Sequence, residues 1–138
     1  EYLFWDVYDA TLFTPSGSYS PKQTPVKFTL TYLRDFDAKD IVKATKEQWQ
    51  HLGKSDLSAK YADKLLALWP DIKKGDTLTF VVGVDESNEF FHNGRSLGGV
   101  NHPGFSADFL AIWLSPDTSQ PELRAQLIGE ESCYASAC

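Results

Sequence analysis

The chain has 138 residues, 42% of them apolar and 14% aromatic, so it can bury one substantial core but is too short for two ordinary domains. Its formal charge of −6 argues against a nucleic-acid partner, which needs a basic face to displace counterions from phosphates. No apolar run approaches the roughly 20 residues that cross a bilayer, and no transmembrane segment is expected. The sequence lacks methionine and opens at Glu1 inside a strand-like run, which reads as a mature or trimmed product.

From Tyr2 to Phe13, aromatic, aliphatic and β-branched residues predict a long strand, ended by Pro15 and Gly17. Val26 to Phe36 alternates. Val26, Phe28, Leu30, Tyr32 and Arg34 share one face, with Lys27, Thr29, Thr31, Leu33 and Asp35 on the other, as in a half-buried antiparallel strand. Two helices follow. Asp37 is positioned to cap a stripe of Ile41, Val42, Trp49 and Leu52 that stops at Gly53. Ser55 or Asp56 caps a second stripe, Leu57, Tyr61, Leu65, Leu68 and Trp69, that stops at Pro70. Thr77 to Asp85 alternates again, with Leu78, Phe80, Val82 and Val84 on one side.

Asn93-Gly94 lies between two short apolar pieces, the strongest local signal for a β-hairpin. Asn101 to Gly104 opens a third helix with Phe105, Phe109, Ile112 and Trp113 on its inner face, and Ser119-Gln-Pro-Glu122 has the form of a capping box for a fourth helix running to Gly129. This order predicts an α+β fold, a mostly antiparallel β-sheet with helices packed on one face, with a parallel α/β sheet as the weaker alternative. The expected domain is residues 1–129, followed by a tail, 130–138. Cys133 and Cys138, the only cysteines, both fall in that tail, and their even number suggests a disulfide formed in an oxidising compartment rather than two free thiols.

Catalytic signatures are sparse. Ser16, Ser18 and Ser96 lack a Gly-x-Ser-x-Gly context, and His51, His92 and His102 stand singly without metal-ligand spacing. Gly98-Gly99 belongs to no phosphate-binding loop, so no cofactor is expected. Arg34 stands out, because it falls in phase with Phe28, Leu30 and Tyr32. There it is suited to hold a carboxylate or enolate oxygen of an apolar ligand, the plainer alternative being a pair with Asp37 or an exposed position. Asp6 and Tyr8, in phase with Phe4, intrude in the same way. Arg34, Tyr32, Tyr8 and Asp6 are therefore the candidate ligand-binding residues.

Five segments, Tyr8-Asp-Ala-Thr-Leu12, Lys27-Phe-Thr-Leu-Thr-Tyr-Leu-Arg34, Trp69-Pro-Asp-Ile-Lys-Lys-Gly-Asp76, Phe91-His-Asn-Gly-Arg-Ser-Leu-Gly98 and Ile112-Trp-Leu-Ser-Pro-Asp-Thr-Ser119, together resemble the bacterial, exported branch of the chalcone-isomerase-like family. The resemblance implies an open-faced β-sandwich with a cleft between sheet and helices. Plant chalcone isomerases hold a phenolate with an Arg and with neutral Thr, Tyr and Asn groups. The positions that resemble these here are Asp6, Asp40, Glu47 and Ile112, and the catalytic Arg would stand before Glu1. Acids in place of neutral donors repel a phenolate. The resemblance thus implies a non-catalytic binder of a small apolar molecule, a fatty-acid-like or aromatic carboxylate, in the periplasm or secreted. An intramolecular lyase of the chalcone-isomerase type and a cell-envelope interaction module are the alternatives.

Overall fold

The computed structural model describes residues 7–15, 25–85, 87–102 and 104–128. They form strands β1 (Tyr8–Phe13) and β2 (Val26–Tyr32), helices α1 (Ala38–His51) and α2 (Asp56–Leu68), strands β3 (Thr77–Val82), β4 (Asn88–His92) and β5 (Arg95–Gly98), and helices α3 (Phe105–Leu114) and α4 (Pro121–Ile128). The five strands pair in chain order, each antiparallel to its neighbour. This is the expected α+β architecture: short connections make β3, β4 and β5 antiparallel neighbours, while the long β2–β3 connection carries α1 and α2.

The register stacks apolar side chains in rows on the inner face. Leu12, Phe28, Phe80 and Phe90 lie opposite one another in turn, as do Ala10, Leu30 and Leu78. Helix α3 covers the middle of this face, with the Phe109 ring 5.0 Å from Phe80 and 5.3 Å from Phe90 and Phe28 4.5 Å from Trp113. These offset and edge-to-face contacts are the favoured geometries for aromatic rings. The outer face carries Thr29 and Thr79, whose hydroxyls meet at 3.2 Å.

Several element ends differ from expectation, each for a local reason. Strand β2 stops at Tyr32 instead of Phe36, because the chain bends at Leu33 and Arg34 before Phe36 forms an isolated bridge to Ile72. Strand β3 stops at Val82, since the Gly83 N–H donates to the Ser87 carbonyl and turns the chain, leaving Val84 77% exposed rather than in the core. Asp37 occupies the N-cap position of α1 without a side-chain cap bond. Asp71 takes that role from across the fold, accepting from the Ala38 N–H at 2.8 Å. Ser119 does not head a capping box. The Gln120 carbonyl receives the first helical bond, from the Arg124 N–H, so Ser119 is one residue too early, and its hydroxyl donates instead to Gln48 Oε1 at 2.7 Å. The Asn93-Gly94 turn is as expected, with φ of 51° and 85°, the paired left-handed residues of a type I′ hairpin.

Candidate ligand cavity

Where α1 crosses the β1 side of the sheet, the two layers do not close. Strand register puts Tyr8 opposite Tyr32 and Leu30 opposite Leu78, which together form a floor. Above it, Asp40, Ile41, Ala44, Thr45 and Gln48 fall on one stripe of α1, because residues three to four apart share a helix face. Phe109, Ile112 and Trp113 of α3 close one side, and Trp69, just after α2, another. The cavity has a volume of about 280 Å³ and is partly open to solvent. Leu30, Tyr32, Trp69, Leu78, Phe109, Ile112 and Trp113 in its lining are buried, Phe36, Ile41, Ala44 and Gln48 are half-buried, and Asp40, Lys43 and Glu47 are exposed and mark the mouth.

Most polar atoms in the wall already have partners. Trp113 Nε1 donates to Tyr8 Oη at 2.7 Å, the Thr45 hydroxyl donates to the Ile41 carbonyl at 2.8 Å, and Gln48 Oε1 accepts from Ser119. Trp69 Nε1 is buried without a hydrogen-bond partner among the described residues.

Of the four candidate residues, the fold brings two together. The Tyr8 and Tyr32 rings meet edge to face at 5.7 Å, and both line the cavity. The face assigned to Arg34 is corrected: it lies past the end of β2, where strand alternation no longer governs direction, and it is exposed and absent from the cavity wall. Asp6 lies outside the described residues, as do Cys133 and Cys138. Trp69 and Trp113 were legible in the sequence only as helix-face core residues; their place at a gap depends on the spacing between layers.

The histidines are apart and serve the scaffold. His92 Nε2 lies 2.9 Å from Asp76 Oδ2, and the Asn93 amide donates to Asp76 Oδ1 at 3.0 Å. The Asn93 amide above all, then His92 and the Lys73 N–H, lower the Asp76 carboxyl from 3.8 to about 2. His102 Nδ1 stands 3.4 Å from the Tyr61 hydroxyl, which donates to Asp108 Oδ2 at 3.1 Å. Burial chiefly, then that bond and the Asp108 charge, push the Tyr61 phenol up from 10.0 to about 12. His51 meets the Asp117 carbonyl at 3.1 Å. No cluster of three His, Cys, Asp or Glu able to hold a metal occurs among the described residues, nor is any described helix long and apolar enough to cross a membrane.

A family model described as chalcone isomerase-like matches residues 1–129. The chain belongs to the chalcone isomerase-like family. An uncharacterized protein of Haemophilus influenzae is 23% identical over 125 residues, which is 90% of this chain and 61% of that protein, so the chain spans about three fifths of the relative's length. Within this member of the chalcone isomerase-like family, Asp40, Glu47 and Ile112 all border the cavity. Two of them are exposed acids at the mouth, and the third has no polar side-chain atom.

Proposed function

We propose that the chain is a binder of a small, apolar, uncharged molecule, held in the cavity between α1 and the sheet. The carrying observation is the cavity itself: about 280 Å³, lined largely by buried aromatic and aliphatic side chains, with exposed Asp40, Lys43 and Glu47 at its edge. A gap of this size forfeits dispersion contacts that tight packing would supply, and small-molecule sites are typically apolar concavities of this order with few polar groups. Charge decides between a carboxylate and a neutral ligand. Asp40 and Glu47 face Lys43 at the mouth, Arg34 lies elsewhere, and a carboxylate entering there meets two acids and one ammonium group. The same acids disfavour catalysis through a phenolate, which needs donors at the place where negative charge develops.

A periplasmic or secreted location belongs to this reading, supported by the cysteine pair of the tail, and thiol alkylation of the exported protein with and without reductant tests it. For the binding reading, native mass spectrometry of the purified chain, with organic extraction, is expected to release a co-purifying apolar molecule. The neutral dye N-phenyl-1-naphthylamine is expected to bind saturably and to quench tryptophan emission, since Trp69 and Trp113 line the cavity. No released molecule together with no saturable dye binding would overturn the proposal.

A further inference from the structure

The hairpin between β4 and β5 turns on Asn93-Gly94, and an asparagine followed by glycine is the dipeptide most prone to spontaneous deamidation, because the second residue has no side chain to shield its backbone nitrogen. Both residues are exposed, and a carbon added at Gly94 would meet nothing within 4 Å, so the surroundings screen neither of them. The turn itself does. With φ of 51°, Asn93 is left-handed, a conformation whose ψ is about +47°. That ψ sets the Gly94 nitrogen nearly opposite the Asn93 Cβ across the Cα–C bond, whereas ring closure needs the two on the same side. The Asn93 amide is also held at both ends. Its Oδ1 accepts the Thr77 N–H at 2.8 Å, and its Nδ2 donates to Asp76 Oδ1 at 3.0 Å. The other Asp76 oxygen meets His92 Nε2 and accepts the Lys73 N–H, each at 2.9 Å, so the carboxylate that holds Asn93 is itself fixed.

We infer that Asn93 is a latent deamidation site, kept shut by the turn and by its bonds to Asp76 and Thr77, and reactive only when the β4–β5 hairpin opens away from the start of β3. In the opened chain the Gly94 nitrogen attacks the Asn93 Cγ. The N–Cγ bond forms, the Cγ–Nδ2 bond breaks, and ammonia leaves with the proton that Gly94 gives up. Water then opens the resulting succinimide at either carbonyl, giving aspartate or isoaspartate. Neither product restores the native contacts. A carboxylate at position 93 offers Asp76 Oδ1 a like charge where it had a donor at 3.0 Å. Isoaspartate also lengthens the backbone by one methylene, which the two-residue turn has no room for. The hairpin therefore records its own openings as an irreversible chemical change.

Incubating the full chain in neutral buffer, native or unfolded in urea, tests this, with peptide mass spectrometry to read amide-to-acid conversion and enzymatic methylation to read isoaspartate. Native Asn93 is expected to deamidate at least about a hundredfold more slowly than unfolded Asn93, the factor for opening two hydrogen bonds. Asp76→Ala removes a charged acceptor and is expected to narrow that gap about tenfold while near-UV circular dichroism still reports a folded chain. Should that variant not fold, the wild-type chain decides. The Thr77 N–H is bonded to Asn93 Oδ1, so its hydrogen-exchange protection is expected to match the slowing of deamidation to within about tenfold, since one opening exposes both. Equal rates in the native and unfolded chains would overturn the inference. So would a folded Asp76→Ala chain with an unchanged rate, or a Thr77 amide that exchanges freely while Asn93 stays intact.

Discussion

Filling the cavity separates a binding site from a packing fault, and Ala44 is the place to do it. Its side chain is half-buried on the inner stripe of α1 and lines the cavity, so Ala44→Leu directs three added carbons into the gap. At about 0.8 kcal/mol per buried CH₂ their transfer is worth about 2.4 kcal/mol, and ordering the leucine side chain costs about 0.5–1 kcal/mol. Because the site borders the mouth, some of the added surface stays wet, and a net stabilisation of about 1 kcal/mol is the expected outcome. Helix propensity scarcely changes, leucine being nearly as good as alanine. In a chain of this size about 1 kcal/mol raises Tm by about 3 °C.

Binding should move the opposite way. A naphthyl probe sharing the cavity with the new side chain meets overpacking of about 1–3 kcal/mol, a loss of tenfold or more in affinity. Thermal scans with and without probe read both effects at once. Wild type is expected to gain stability with probe, by about 2.7 kcal/mol at one hundred times Kd, whereas Ala44→Leu starts higher and gains little. A variant that is destabilised by more than about 1 kcal/mol and still binds the probe with wild-type affinity would refute both the open cavity and its use.

Other outcomes test the surrounding scaffold. Tyr8→Phe removes the acceptor of the buried Trp113 N–H and is expected to cost about 1–3 kcal/mol in denaturant unfolding, with loss of stability despite a conserved ring. The Tyr61 phenol, raised from 10.0 to about 12, is protonated in both states below pH 10.0. As pH rises from there, the unfolded chain releases this proton first, so stability is lost between pH 10.0 and about 12. Tyr61→Phe should flatten that part of the profile, and an unchanged slope would count against the assignment. Asp76 works at the other end: with its carboxyl lowered from 3.8 to about 2, its contribution is present above pH 3.8 and fades toward about 2. Asp76→Asn is expected to remove that acid-dependent step and to speed amide exchange in β4 and β5, which His92 and Asn93 tie to it. Gly94→Ala places a side chain at φ 85°, with nothing within 4 Å to clash, so a cost of about 1–2 kcal/mol would report backbone strain alone.

Much of the fold could be read directly, because its signals are local and agree with one another. The alternation of Val26, Phe28, Leu30 and Tyr32, the stripe of Leu57, Tyr61 and Leu65, and the Asn93-Gly94 turn each state a period or a torsion that the structure repeats. Misreadings arose where a distant partner decided. Asp71 caps α1 from 33 residues away, Ser119 serves Gln48 across 71, and the bend after Tyr32 carries Arg34 off the face that simple alternation assigns it. The site was half legible: Tyr8 and Tyr32 were in phase with the core and do line the cavity, but Trp69 and Trp113 differ in no local way from packed residues.

That difference bears on how a member of this family takes on a role. Resemblance to an isomerase directs attention to a cationic anchor and neutral donors, and Arg34 was the cation in phase with the core. The fold puts Arg34 at the surface and acids at the mouth, yet keeps the gap between α1 and the sheet. If the gap is only a packing fault, a larger side chain at Ala44 recovers about 1 kcal/mol and costs no function. If it is the binding site proposed above, the same substitution stabilises the chain and weakens binding, and the two outcomes separate in one thermal scan with and without probe.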